Sequence, residues 1–406
     1  MSHDENPRTP ACGPLAHIRV VELGTLIAAP FAARLLAEFG AHVIKIEPPN
    51  SGDPLRRWRK LHDGTSLWWY AQSRNKKSVT VDLKHAEGQK IVHKLVADAD
   101  ILIENFRPGV LEKWNLGWDR LSAINPNLVM VRISGFGQTG PYRHRPGFDA
   151  IGEAMGGLRY TTGAPDRPPS RAGISIGDSL ASLHAVIGAL MSLIAIKDGL
   201  ARGQIVDVSL VESVFNVMES LVPEYDFFGE VRERSGGKLP GIAPSNTYAS
   251  RDKRWIVIAG NSDSIFRRLM SVIGRTDLGD DGSLATNDGR VAQETIIDDA
   301  IAAWTAQHSA DDILSMLESA QIPCSRIYSA ADIVRDPHFI ARDMLLDAEL
   351  PDGKKVAMPG ITPKLSATPG SMAWMGPALG AHTNEVLAAL GYEPTKIASL
   401  RQEGII

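Results

Sequence analysis

The chain has 406 residues, too many for one ordinary hydrophobic core and enough for two domains. Its apolar share of 44% and charged share of 22% are those of a globular protein, and a net charge of −4 with no long basic stripe argues against a nucleic-acid partner. Cys12 and Cys324 stand far apart in no ligand spacing, so neither a disulfide framework nor a metal site is expected.

The opening stretch, MSHDENPRTPACGP, is polar and acidic with no apolar signal segment, which predicts a cytoplasmic protein. Residues 18–23, IRVVEL, form a β-rich apolar run ended by Gly24. In PFAARLLAEFG, Pro30 suits a first helical turn, Phe31, Leu35 and Phe39 recur at helical spacing, and Gly40 stops the helix. HVIKIE (42–47) is the next strand, the helical AEGQKIVHKLVADA leads into the strand DILIEN, and NLVMVRIS (127–134) is a fourth. Strands alternating with helices predict a Rossmann-like α/β domain, a parallel sheet covered by helices on both faces.

From Asp178 a long helix is expected to about residue 196, with Leu183, Val186, Ile187, Leu190 and Ile194 on one face. Its apolar core, LHAVIGALMSLIAI, has 14 residues, too short to span a bilayer, so a buried helix and no membrane are predicted. GQIVDVSL and a further helix close this first part of the large domain, residues 1–225. Residues 226–245, with RSGGKLPGIAP, read as a linker or mobile loop. A hairpin in NTYASRDKRWIVIAG and the helix SDSIFRRLMSVIG open a smaller α+β domain, residues 246–335. Residues 336–406, which include a hairpin turned at Pro351-Asp352-Gly353, are expected to return to the large domain.

GFGQTG follows a strand as a dinucleotide fingerprint would, but Pro141 and YRHRPG stand where the receiving helix should open, which disfavours a nicotinamide enzyme. The basic clusters RRWRK and SRNKKS are most simply a solvated surface. His17, His144, His184 and His382 share no motif with an acid and a serine, so no hydrolase triad is expected. GISIGDSLAS sets one carboxylate, Asp178, at the mouth of the long helix. Asp is a preferred helix cap, and it is also a sufficient nucleophile towards a positioned thioester, because thiolate leaves readily.

Six stretches in order, GAHVIKIEPPNSGD, NKKSVTVDLK, ENFRPGVLEKWNLG, GFGQTGP, GFDAIGEAMGG and SRAGISIGDSLAS, resemble the class III CoA-transferases, which include formyl-CoA:oxalate and succinyl-CoA:hydroxymethylglutarate CoA-transferases. The likeness extends to the C-terminal LGAHTNEVLAALGY. It implies that Asp178 is the catalytic nucleophile of an acyl-CoA:carboxylate CoA-transferase, working through aspartyl-acyl anhydride and aspartyl-CoA thioester intermediates. It implies acyl-CoA and a small carboxylic acid as substrates, no permanently bound cofactor, and an interlocked homodimer. The CoA site carried over by position comprises Ile27, Ala28, Val81, Asp82, Leu83, Lys84, Asn105, Phe106, Arg107, Lys113, Ser134, Gly135, Phe136 and Gly137. The chain departs from the formyl-CoA transferase-like pattern in having Pro48 and Lys113 where that pattern has arginines, and the family's active-site glycine loop has no clear match here. α-Methylacyl-CoA racemases share the scaffold but need a histidine where this chain has Phe148, which cannot move a proton. A CoA-binding protein without chemistry is the other alternative, and the intact Asp178 argues against it. Arg171, seven residues before Asp178, is a candidate partner for a second substrate carboxylate, which would favour a dicarboxylic acid.

Overall fold

A computed structural model describes residues 13–406; Cys12 and the polar opening stretch lie outside the described residues. Contacts divide the chain into two units, one holding the residues up to Arg159 with Ala172–Glu224 and Asp343–Ile406, the other Tyr160–Arg171 with Tyr225–Arg342.

The first unit is built on six parallel strands: β1 (Arg19–Glu22), β2 (His42–Glu47), β3 (Lys76–Thr80), β4 (Ile101–Glu104), β5 (Val129–Ser134) and β6 (Gln204–Ser209). Their order in the sheet is β3-β2-β1-β4-β5-β6, the doubly wound arrangement of dinucleotide-binding folds. Both faces are covered, so the strands read as continuous apolar runs. Val20, Val43, Ile103 and Val131 face helices α1 (Ala28–Glu38) and α4 (Ile176–Lys197). Val21, Ile46, Leu102 and Met130 face α2 (Ala86–Ala97) and the C-terminal helices Thr383–Ala389 and Pro394–Gln402. Helix α3 (Asp149–Met155) lies between β5 and α4 in sequence.

Helix α4 differs from expectation in length and in the face it buries. It has 22 residues, and by length and composition alone it is long and apolar enough to cross a bilayer. Its buried residues are small: Ala181, Ser182, Ala185, Ala189 and Ser192. They meet Ala28, Ala29, Ala32 and Ala33 of α1 in one core, and Ser182 Oγ donates to the Ala28 carbonyl at 2.7 Å. Close packing of two alanine faces leaves no room for the large side chains, so Leu183, Ile187, Met191 and Ile194 point outward, between 45% and 64% exposed. Val186 and Leu190 are half-buried at the edge of the packed face.

Strand β3 has no apolar alternation and was not expected; SRNKKS reads as solvated surface, and the structure corrects that reading. Lys76 and Arg74 are fully buried, as is most of Arg56 from the neighbouring basic cluster. Lys76 Nζ contacts Glu22 Oε2 at 2.7 Å, and Lys45 Nζ contacts Glu22 Oε1 and Asp53 Oδ2, each at 2.8 Å. Burial opposes the charge on Lys45, but Asp53 and Glu22 outweigh it and hold its pKa above the ordinary lysine value. Arg74 pairs with buried Glu38, and Arg56 forks onto Glu47 at 2.7 and 2.8 Å while lying 3.6 Å over the Trp69 ring. The bases are buried because each meets an acid of another segment.

In the second unit β7 (Ser245–Ala249), β8 (Trp255–Ala259) and β9 (Cys324–Arg326) form an antiparallel sheet in the order β9-β8-β7. Ile256, Ile258, Phe266, Leu269, Ile297 and Ile313 form its core. The glycine- and proline-bearing stretch of residues 234–244 belongs to this unit and is tied down. The buried Arg290 guanidinium donates to the carbonyls of Ala243, Leu284 and Asn261, and Lys238 Nζ lies 2.8 Å from Asp298. Cys324 is half-buried, and burial pushes its thiol up to about 11.

Glu22 neutralises two buried lysines, so Glu22→Gln is expected to destabilise the fold by about 3–5 kcal/mol. Glu385→Gln breaks only the surface pair with Lys77 and should cost less than about 1 kcal/mol. Urea unfolding of both variants measures the contrast, and equal midpoints would show that the network is not the anchor.

Candidate functional site

The strand order reverses between β1 and β4, and in such sheets ligands bind in the crevice outside the carboxyl ends of the strands at that point. The turn leaving β1 is fixed from two sides. Asn105, just past β4, accepts from the Thr25 N–H at 2.8 Å and donates to the Thr25 carbonyl at 2.9 Å. The Asp53 carboxylate, held by Lys45, accepts from the Leu26 N–H at 3.1 Å, where the backbone takes φ of +65°. A Cβ on Gly24 would lie 2.2 Å from the Ala29 Cβ, so only glycine lets the chain turn this tightly. Ile27 and Ala28 follow as the buried start of α1.

The other residues expected to bind CoA follow the neighbouring strand ends. Val81, Asp82, Leu83 and Lys84 leave β3, where the Asp82 N–H donates to the Ile405 carbonyl at 2.7 Å and the Lys84 N–H to the Asp82 side chain at 2.9 Å. Leu83 and Phe106 are half-buried against the same core, and the Phe106 ring meets Trp114 edge-on at 5.2 Å. Arg107 follows Phe106, and Lys113 ends the short helix Val110–Lys113. Lys84, Arg107 and Lys113 are exposed, and no carboxylate pairs with any of them among the described residues. At the end of β5, Ser134 is buried and its hydroxyl has no hydrogen-bond partner among the described residues, while Gly135, Phe136 and Gly137 carry the turn, Gly137 at φ of +82°.

Between these turns lies Glu104, which closes β4. It accepts from Arg132 Nε and from the Phe106 N–H, each at 2.7 Å. Burial nevertheless pushes its carboxyl up to about 7, against the pull of Arg132.

Asp178 is half-exposed and occupies the third position of α4. The cap of that helix comes from elsewhere. The buried Asp149 side chain, at the start of α3, accepts from the Gly177 N–H at 2.8 Å and from the Asp178 N–H at 3.2 Å. Ser175 precedes the helix without a side-chain capping bond. Phe148, before Asp149, is 71% exposed and offers no ionisable group. Arg171 is exposed and belongs by its contacts to the second unit.

Asp149 and Asp53 were not singled out from sequence. Both lie inside quoted motifs, GFDAIGEAMGG and PPNSGD, but their partners are 28 and 27 residues away in the chain. Away from these turns, His62, Asp63 and Asp352 bring ligand-type atoms within 4.8 Å of one another. Lys354 lies 3.1 Å from Asp352, and with His62 it holds that carboxyl down at about 2.

Comparison with known proteins gives one answer. The sequence model of CoA-transferase family III matches residues 15–383. The chain is 48% identical, over 100% of both chains, to succinyl-CoA–D-citramalate CoA-transferase of Chloroflexus aurantiacus. It is 41% identical, over 97% of this chain and 98% of the other, to the beta subunit of succinyl-CoA–L-malate CoA-transferase of the same organism. Among solved structures, a CaiB/BaiF family protein from Brucella suis superposes with a TM-score of 0.82 at 34% identity, over 93% of this chain and 99% of the other.

Because Asp149 carries two amide donors of the first turn, Asp149→Ala should destabilise the protein by at least about 1 kcal/mol, and Asp149→Asn by less. Thermal unfolding of the two variants tests this. Equal losses would mean that the accepting oxygen is not what matters.

Proposed function

The chain belongs to CoA-transferase family III, and from that premise we propose that it moves coenzyme A from succinyl-CoA to a hydroxylated dicarboxylic acid of the citramalate or malate kind. The end-to-end identity with the D-citramalate enzyme carries this reading. Asp178 is the nucleophile. Its carboxylate oxygen attacks the succinyl carbonyl carbon, the C–S bond breaks, and CoA thiolate leaves an aspartyl-succinyl anhydride. The thiolate then attacks the aspartyl carbonyl, the anhydride C–O bond breaks, and succinate departs from an aspartyl-CoA thioester. The acceptor carboxylate displaces the thiolate again, forming a second anhydride, and the thiolate takes the acceptor's acyl group, restoring the Asp178 carboxylate. One thioester replaces another and no proton changes hands, so the chemistry requires no histidine base.

Two features support this role. The Gly177 and Asp178 amides at the start of α4 are capped by Asp149, so that capping task does not fall to the Asp178 carboxylate. The residues proposed to hold CoA, from Ile27 and Ala28 through Val81, Asp82, Leu83, Lys84, Asn105, Phe106, Arg107 and Lys113 to Ser134, Gly135, Phe136 and Gly137, all lie at or after carboxyl ends of strands in the sheet, where such ligands bind. Lys84, Arg107 and Lys113 supply unpaired positive charge for its phosphates.

The same reading makes the protein an interlocked homodimer. The outward stripe of Leu183, Ile187, Met191 and Ile194 supports assembly, since a contiguous apolar face of this kind is usually covered. Native mass spectrometry of protein diluted far below micromolar is expected to show dimer only. A monomer that forms freely on dilution overturns the interlocking.

With succinyl-CoA as donor, D-citramalate, L-malate and glutarate are expected to accept CoA, and acetate at least roughly tenfold less well, since the second carboxylate's contacts are lost. Asp178→Asn should lower transfer by several orders of magnitude with folding and CoA binding intact. Hydroxylamine added to wild type during turnover should modify Asp178 alone. Substantial transfer by the Asn variant, with deamidation excluded, sinks the covalent route.

A further inference from the structure

Asp149 is the first residue of α3, and its buried side chain holds the Gly177 and Asp178 amides at the start of α4. Small residues keep α3 in place. A Cβ on Gly152 would lie 3.1 Å from the Leu210 Cβ, and one on Gly156 2.6 Å from Val214 Cγ1, so α3 rests directly on the helix Leu210–Phe215. Gly177 meets the same need on α4. A Cβ there would lie 3.0 Å from Asp149 Oδ1, and the acceptor would have to give way. Ser182 Oγ lies 2.7 Å from the Asp178 carbonyl and 2.7 Å from that of Ala28, its one hydrogen shared between them. The Asp178 backbone is thus held at its amide and at its carbonyl.

The place of Asp178 in α4 gives this grip a chemical consequence. It is the third residue of the helix. An acid at that position can reach back to the amides of its own first turn, because those N–H groups lack intrahelical acceptors and carry partial positive charge. A carboxylate bound in that way is stabilised before any reaction, and each bond it accepts must be given up before it can attack a carbonyl carbon. Here the amides of residues 177–179 have other acceptors: Asp149 for the first two, and the Ser175 carbonyl for that of Ser179, at 3.1 Å.

We propose that Asp149 is a positioning residue for CoA transfer: by accepting from the Gly177 and Asp178 amides, it keeps the nucleophilic carboxylate from being drawn into the helix cap. The inference rests on the reading of Asp178 as nucleophile, and it gives Asp149 no contact with substrate. It also accounts for two acids at one helix start, where a single one suffices as a cap. Asp149 takes the positive end of α4, and Asp178 is left for the succinyl carbonyl.

Single-turnover mixing with succinyl-CoA, quenched into hydroxylamine, reads the step directly. The hydroxylamine nitrogen attacks the aspartyl carbonyl of the Asp178–CoA thioester, CoA thiolate leaves, and Asp178 is marked as its hydroxamate. At a temperature where circular dichroism shows the variants folded, Asp149→Ala should be marked at least about tenfold more slowly, with half-saturation by succinyl-CoA unchanged. Asp149→Asn, which keeps an accepting oxygen, should recover most of the rate. If Asp149→Ala does not fold, Gly177→Ala carries the same test: its methyl crowds Asp149 off the amides while both carboxylates remain, and slower marking is again expected. Marking at the wild-type rate in the folded variant, a loss confined to half-saturation, or equal loss in Asp149→Asn and Asp149→Ala overturns the proposal and leaves Asp149 a structural cap. A wild type that transfers CoA but is never marked at Asp178 refutes the nucleophile reading itself, and the role of Asp149 falls with it.

Discussion

Four charges buried under the start of the sheet set the position of almost everything else. Glu22 lies between Lys45 and Lys76, and Lys45 passes the constraint to Asp53. Asp53 then grips the Leu26 amide in the turn from β1 into α1. Each buried ion carries a desolvation penalty that only a well-placed partner offsets, so the arrangement tolerates little displacement. The turn is thereby fixed beside Asn105, where the strand order reverses. Helix α1 is aimed by the same turn, and α4 is seated on α1 through alanine contacts. The location of Asp178 thus traces back to an ionic cluster on strands that do not touch it.

The carboxyl edge combines two kinds of order. Backbone there is held by side chains from distant segments: Asp53 and Asn105 on the first turn, Asp149 on α4, Asp207 on the β5 turn. Lys84, Arg107 and Lys113 around it are exposed. Elsewhere in the first unit, bases as deeply buried as Arg74, Lys76 and Arg56 are matched to acids. Charges that build the fold are paired, whereas Lys84, Arg107 and Lys113 have no carboxylate partner among the described residues.

Much of the parallel sheet could be read from the sequence, because strands covered on both faces are unbroken apolar runs; His42–Glu47 appears with the expected limits. Strand β3 could not, since Lys76 and Ser78 are buried only by virtue of Glu22 and Glu47 in other strands. The buried face of α4 departs from its apolar periodicity for a related reason. Periodicity assigns the larger residues inward, whereas alanines on α1 allow a close approach that buries the smaller ones. At the site, Asp178 can be picked out by its motif neighbours, but the motif does not decide whether it caps the helix. Which acid caps the helix is a question of tertiary contact, and only the fold supplies Asp149.

One face of the sheet is completed by the far end of the chain. Val386, Leu387, Ile397 and Leu400 share a core with Val21 and Ile91, and the Ser78 N–H meets His382 across 304 residues of sequence. A chain made from its N-terminus must hold that face open while the whole second unit is synthesised. Contacts so distant in sequence close slowly. The emerging chain would therefore carry a half-covered sheet from Ser209 until Thr383 is made, so that this unit, rather than the second, must wait for the last segment to close its core.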